Sequence, residues 1–173
     1  MKILVLSDSH GRTDRILDAC KLHKNTLDLV IFLGDGVNDM KYCQSKLAGV
    51  PVISVSGNHE DATSIFLSEE KAPSELSLTL DGYKLLLMHG HKFGVKGGIT
   101  RALSYAYAKG ADILLFGHTH TPHEKYYPDG TELTFGASER GMYAFNPGSI
   151  GAGSAGLLEL RENGVVMSHF SPI

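Results

Sequence analysis

Five short apolar runs, each stopped by a small or polar residue, constrain the fold of this chain more than any other feature. Ile3–Leu6 ends at Ser7-Asp8, Leu29–Leu33 at Gly34-Asp35, and Val52–Val55 at Ser56-Gly57-Asn58. Leu85–Met88 ends at His89-Gly90-His91, and Ile113–Phe116 at Gly117-His118. Continuous apolar runs of this length, rich in β-branched residues and closed by Gly or polar residues, read as strands covered on both faces. Helical patterns lie between some of them. Residues 12–23 place Ile16, Ala19, Cys20 and His23 on one face at helical spacing. Residues 38–48 and 99–109 are further helices, the latter preceded by Gly97-Gly98 and ended by Gly110. Strands alternating with helices make an α/β fold.

Past residue 122 the character changes. Segments 124–127, 131–135, 142–146, 156–161 and 165–170 read as short strands, with Pro128-Asp129-Gly130 and Glu162-Asn163-Gly164 as turns between pairs. This predicts antiparallel sheet added to the α/β half. Residues 60–75 are polar and irregular and read as a surface excursion with one helical turn. No linker or composition break divides the 173 residues, so one domain over 1–173 is expected.

Composition narrows the classes of function. Hydrophobic residues make up 42% and charged residues 20%, which suffices for a core and excludes wholesale disorder. Sixteen Lys and Arg against nineteen Asp and Glu give a net charge of -3, without a basic tail or stripe. Nucleic-acid binding by bulk electrostatics does not fit that balance. The apolar run at Ile3–Leu6 is too short for a secretory core, and no stretch approaches the roughly 20 apolar residues of a membrane span. Cys20 and Cys43 form no C-x-x-C pair and cannot make a disulfide framework, so a reducing, cytoplasmic setting is expected, with Cys20 a buried free thiol.

In open α/β sheets, ligands bind beyond the carboxyl ends of the strands. The five ends here carry Asp8-Ser9-His10, Gly34-Asp35-Gly36, Gly57-Asn58-His59-Glu60, His89-Gly90-His91 and Gly117-His118-Thr119-His120. Six of the nine His of the chain fall on them. Singly, each motif has an ordinary reading as a turn, a helix cap or a satisfied histidine. Five in order, each after a buried strand, point to a shared site instead.

The set resembles the calcineurin-like metallophosphoesterases, and most closely their small bacterial and archaeal phosphodiesterases, from Asp8 through Asn146-Pro147-Gly148-Ser149. The resemblance implies a four-layer αββα sandwich of two mixed sheets flanked by helices, with a dimetal site at the strand ends. Carried over position by position, it implies that Asp8, His10 and His120 bind one metal and that Asp35 bridges to a second. Asn58, His89 and His118 complete the second site. His59 matches the catalytic histidine, which contacts the substrate phosphate and protonates the leaving group. Several small relatives have Cys at that position, which weakens any transfer of substrate preference from the Cys-bearing members. His91 is not a ligand in this mapping and is a candidate for orienting a neighbour or holding substrate.

Phosphoesters resist attack because their anionic oxygens repel a nucleophile. Two divalent ions about 3.5–4 Å apart hold those oxygens and acidify a water between them. Asp8 and Asp35 contribute -2 against +4, and the Asn and His ligands are neutral, so the site carries about +2 and attracts an anionic ester. Imidazole and oxygen ligands without thiolate suit Mn, Fe, Zn, Co or Ni and do not choose among them; manganese is the first expectation alongside the family resemblance. Arg101, after Lys92, Lys96 and Gly97-Gly98, is a candidate for a distal part of the substrate, against the plainer reading of a solvated helix-surface Arg.

The expected function is therefore a metal-dependent phosphoesterase, foremost a phosphodiesterase, working by attack of a metal-bridging hydroxide on a small phosphoester. The alternatives are a phosphomonoesterase or protein phosphatase, and a non-catalytic scaffold such as the retromer-coat subunit that shares this kind of fold. The short chain lacks segments for a long peptide groove, and a scaffold has no need of the full ligand set with His59. The resemblance is consistent with a homo-oligomer.

Overall fold

The computed structural model describes residues 1–47, 49–63 and 71–172. The chain runs β1 (Lys2–Leu6), α1 (Thr13–Leu22), β2 (Leu29–Phe32), α2 (Val37–Gln44), β3 (Val52–Ser54), α3 (Asn58–Thr63), β4 (Glu75–Leu80) and β5 (Tyr83–Met88). It continues with α4 (Thr100–Ala108), β6 (Ile113–Phe116), β7 (His123–Tyr127), β8 (Glu132–Leu133), β9 (Gly136–Ala137), β10 (Met142–Asn146), β11 (Ala155–Arg161) and β12 (Gly164–Phe170).

Two mixed five-stranded sheets form, ordered β12-β11-β1-β2-β3 and β4-β5-β6-β10-β7. Within the first, β1, β2 and β3 are parallel and β11 and β12 antiparallel. Within the second, β5, β6 and β10 are parallel, with β4 and β7 antiparallel at the edges.

The pleat explains why the runs are apolar throughout, because alternate residues serve different cores. Ile3 and Val5 of β1, with Ile31, face Leu85, Leu87, Ile113 and Leu115 of the other sheet. Leu4 and Leu6 face the opposite way, onto Ile16, Ala19 and Cys20 of α1 and Met40 and Cys43 of α2. Leu86 and Met88 of β5 likewise cover Ala102, Leu103 and Ala106 of α4. The layers are thus helix, sheet, sheet, helix, as expected.

The three expected helices appear within a few residues of the predicted bounds, α2 stopping earlier, at Gln44. Two readings need correction, and one strand went unread. The second strand half is not simply antiparallel, since β10 pairs parallel with β6. The Pro128-Asp129-Gly130 turn does not join a paired hairpin: β7 pairs with β10, and 131–135 splits into β8, which pairs with β9. The helical turn expected in 60–75 is the part of α3 that covers residues 60–63, β4 begins at Glu75, and 64–70 lie outside the described residues. β4 itself, which pairs with β5, has no counterpart in the sequence reading.

Candidate metal centre

The parallel strands of both sheets end together, and their turns interlock. The Asp8 N–H donates to the Gly34 carbonyl and the Ser9 N–H to the Asp35 carbonyl, both at 3.0 Å, so the turn after β1 continues the pairing with that after β2. The turns after β2 and β3 meet without room for a side chain. A Cβ on Gly34 would lie 2.5 Å from the Gly57 nitrogen, and one on Gly57 would overlap Asp35 Oδ1. The Asn146-Pro147-Gly148-Ser149 stretch ties the far side. Asn146 Nδ2 donates to the Gly117 carbonyl (2.9 Å), and the Ser149 hydroxyl donates to the Asp8 carbonyl (2.8 Å).

Among the described residues, six non-glycine residues have positive φ, and five of them are Asp8, His10, Asp35, His118 and His120. A left-handed conformation costs an L-residue roughly 1–2 kcal/mol. Such strain concentrates where side chains must converge on a ligand.

Two groups of side chains result: Asp8, His10 and His120, and Asp35, His89 and His118, each with its ligand atoms within 4.8 Å of one another. In the first, His10 and His120 bring their Nε2 atoms within 3.3 Å, and Asp8 Oδ1 lies 3.1 Å from His120 Nε2. In the second, His89 Nε2 is 3.4 Å from Asp35 Oδ2 and 3.2 Å from Asn58 Oδ1. The same atom stands 3.8 Å from Asp8 Oδ1, which links the groups. The Leu33 carbonyl accepts from His89 Nδ1 at 2.7 Å, turning Nε2 into the site.

The donor set fits divalent cations on three counts. Among the described residues, Asp8 Oδ1 is buried without a hydrogen-bond partner. Two imidazole nitrogens face each other, a repulsive arrangement unless a proton or cation lies between lone pairs. The third count is electrostatic. Burial pushes the Asp35 carboxyl up, but the His89 ring and the His59 N–H outweigh it and hold Asp35 well below the usual carboxylate range. Burial also depresses His89, yet Asp35 and Asp8 raise it above the ordinary imidazole value, as a site short of positive charge does. His118 is pushed down to about 4, first by burial and then by His89 and Lys96, and so presents a neutral ring nitrogen.

The other expected residues sit around this centre. The His59 ring is 61% exposed, 5.2 Å from the His10 ring, with Nε2 3.8 Å from Asp35 Oδ2. His91 packs 5.4 Å from the His89 ring and places Nε2 3.1 Å from Asp61 Oδ2. Arg101 is exposed in the first turn of α4 and makes no hydrogen bond or ion pair to the groups above. Tyr105 and Tyr107 are both half-buried. Three acidic residues near the site went unread in the sequence: Asp39, Glu60 and Asp61. Asp39 Oδ2 accepts from the Ser9 hydroxyl (2.5 Å) and the Gly11 N–H (2.8 Å). Asp61 Oδ2 lies 3.0 Å from Lys92 Nζ and holds the His91 ring. Only Glu60 carried a signal, as the fourth residue of Gly57-Asn58-His59-Glu60.

Residues 1–163 match the calcineurin-like phosphoesterase superfamily domain. The chain belongs to that superfamily. It is 32% identical over 150 residues to the probable metallophosphoesterase YsnB of Bacillus subtilis, covering 87% of this chain and 75% of that protein. It is 30% identical over 169 residues to the phosphodiesterase YfcE of Escherichia coli, covering 87% and 79% respectively. A crystal structure of a predicted phosphoesterase from Streptococcus pneumoniae superposes with a TM-score of 0.72 at 22% identity, covering 99% of this chain and 89% of that one. As a calcineurin-like phosphoesterase the chain is a hydrolase of phosphoesters, and its two Asp/His groups match a dimetal centre. No helix among the described residues is long and apolar enough to cross a membrane.

Proposed function

We propose that residues 1–173 act as one domain that hydrolyses a small phosphodiester with two divalent transition metals, manganese first, with Fe, Zn, Co or Ni able to serve. The observation that carries this reading is the gathering of Asp8, His10 and His120 beside Asp35, His89 and His118 at the strand ends, with His89 Nε2 of the second group 3.8 Å from Asp8 Oδ1 of the first. In this assignment Asp8, His10 and His120 hold one ion, Asn58, His89 and His118 the other, and Asp35 both. When bound, the ions supply positive charge for the phosphoryl oxygens and lower the pKa of a bound water.

The chain's own residues do the rest. Asp8 and Asp35 leave the loaded site with net positive charge, which draws in an ester anion. His59, exposed beside His10, meets the ester from the solvent side and donates its ring proton to the departing oxygen. His91, held by Asp61, packs against the His89 and His118 rings. Arg101 is kept as a contact for the distal part of a longer substrate. The diester preference is supported by the similarity to YfcE, which is named a phosphodiesterase. The buried unpaired thiols of Cys20 and Cys43 fit a reducing, cytoplasmic setting.

The test is hydrolysis of bis(p-nitrophenyl) phosphate against p-nitrophenyl phosphate by metal-loaded protein. Faster turnover of the diester, abolished by chelator and by His118→Ala, is expected. Faster monoester turnover would make the protein a phosphomonoesterase. No turnover of either above the His118→Ala background would favour the scaffold.

A further inference from the structure

The dimetal reading accounts for Asp8 and Asp35 but not for a third carboxylate beside them. Glu60 sits in the first turn of α3, and its two oxygens accept four backbone N–H groups. Oε2 takes those of Asp35 (2.9 Å) and Gly57 (2.7 Å), and Oε1 those of Gly36 (2.7 Å) and Val37 (3.0 Å). A carboxylate offers about four lone-pair sites, and hydrogen bonds to an ionised acceptor are roughly twice as strong as neutral ones. One of these N–H groups comes from the turn after β3, and the other three come from a single turn in which Asp35 and Gly36 both have positive φ, 55° and 136°. That turn makes an anion-binding concavity. It also stands where α2 begins, and its Gly36 cap has no side chain to supply the missing acceptor.

The carboxylate therefore ties the turn that carries Asp35 to the turn that carries Asn58 and His59. The neighbouring residue completes the grip, since the His59 N–H donates to Asp35 Oδ1 at 2.9 Å. Asp35 is held by its backbone through Glu60 and by its side chain through His59. Asp39 makes a useful contrast. It bonds to Ser9 and Gly11, and so braces only the turn that carries Asp8 and His10.

We infer that Glu60 is a positioning residue that aims Asp35 at both ions while binding neither. The inference rests on the dimetal reading above. Its consequence is a coupling: loosening Glu60 weakens both ion sites through the shared Asp35, whereas loosening Asp39 weakens one.

The test is calorimetric titration of the metal-free full chain with Mn(II), for wild type, Glu60→Gln and Asp39→Asn, well below each variant's melting temperature. Gln keeps the shape but turns an NH2 group toward two of the N–H donors. Lost support of this kind typically costs metal affinity about 10–100-fold. Glu60→Gln is expected to weaken both ions within that range, and Asp39→Asn only one. Two ions bound by folded Glu60→Gln within threefold of wild type would overturn the inference, as would the same pattern of loss in both variants. If wild type itself does not take two ions, the dimetal reading fails first. Should Glu60→Gln not fold, hydrogen exchange on wild type decides. The amides of Asp35, Gly36, Val37 and Gly57 are expected to be protected, and open-loop exchange at any of them would overturn the inference.

Discussion

His59 donates its backbone N–H to Asp35 Oδ1 at 2.9 Å while its ring stays exposed, with Nε2 3.8 Å from Asp35 Oδ2. The backbone contact fixes where the ring starts, and the exposure leaves it able to reach a bound ester. A general acid contributes typically about 10²–10⁴-fold, most for a poor leaving group. His59→Asn keeps the backbone bond and removes the acid. It is expected to retain both metals and to lose more activity on alkyl phosphodiesters than on nitrophenyl esters, whose leaving group departs without a proton. Steady-state kinetics on the two substrates check this. Equal losses would assign His59 to phosphate positioning, and loss of a metal would make it a ligand or support.

The contact of the β2 and β3 turns predicts a steric effect. Gly57→Ala drives a methyl group into Asp35. Overpacking of this kind costs about 1–3 kcal/mol. Here the displaced group is the shared carboxylate, so metal affinity is expected to fall along with the melting temperature. Gly97→Ala is the control, because a Cβ there meets nothing within 4 Å and its φ is not positive. That variant should match wild type in both measurements.

The thiols give a pH prediction. Burial pushes the Cys20 thiol up to about 12 from an ordinary 9.0, and burial also raises Cys43. A group whose folded pKa lies above its unfolded value contributes stability that is complete below the unfolded value and fades as pH rises toward the folded one. Denaturant stability should therefore decline from about pH 9 toward pH 12, and less so in Cys20→Ala. At pH 8 a thiol reagent should react with neither cysteine in the folded protein and with both after denaturation. Rapid modification of the native protein would contradict the burial.

The layers and the candidate site were legible in the sequence for one reason. A strand serving two cores is apolar at every position, so Leu4 and Val5 read alike although they face opposite ways, and its end is marked by the first Asp, Asn or His. β4 was missed although Leu76, Leu78 and Leu80 alternate with polar residues before an Asp81-Gly82 turn. Its neighbours 60–75 are polar enough to hide the period. The pairing of β10 with β6 depends on which edge of the sheet is free, and no local pattern encodes that. Asp39 and Asp61 were invisible because they act on backbone atoms and side chains brought close only by folding.

The most direct test of the account is the number of ions held by wild-type protein after saturation with Mn(II) and removal of the excess, counted by elemental analysis beside Asp35→Ala and Asn58→Ala. The account predicts two per chain in wild type. It also predicts loss from both sites when Asp35, the shared carboxylate, is removed, and mainly from one when Asn58 is. A saturated wild-type protein that holds one ion or none, or an Asp35→Ala variant that still holds two, would contradict it.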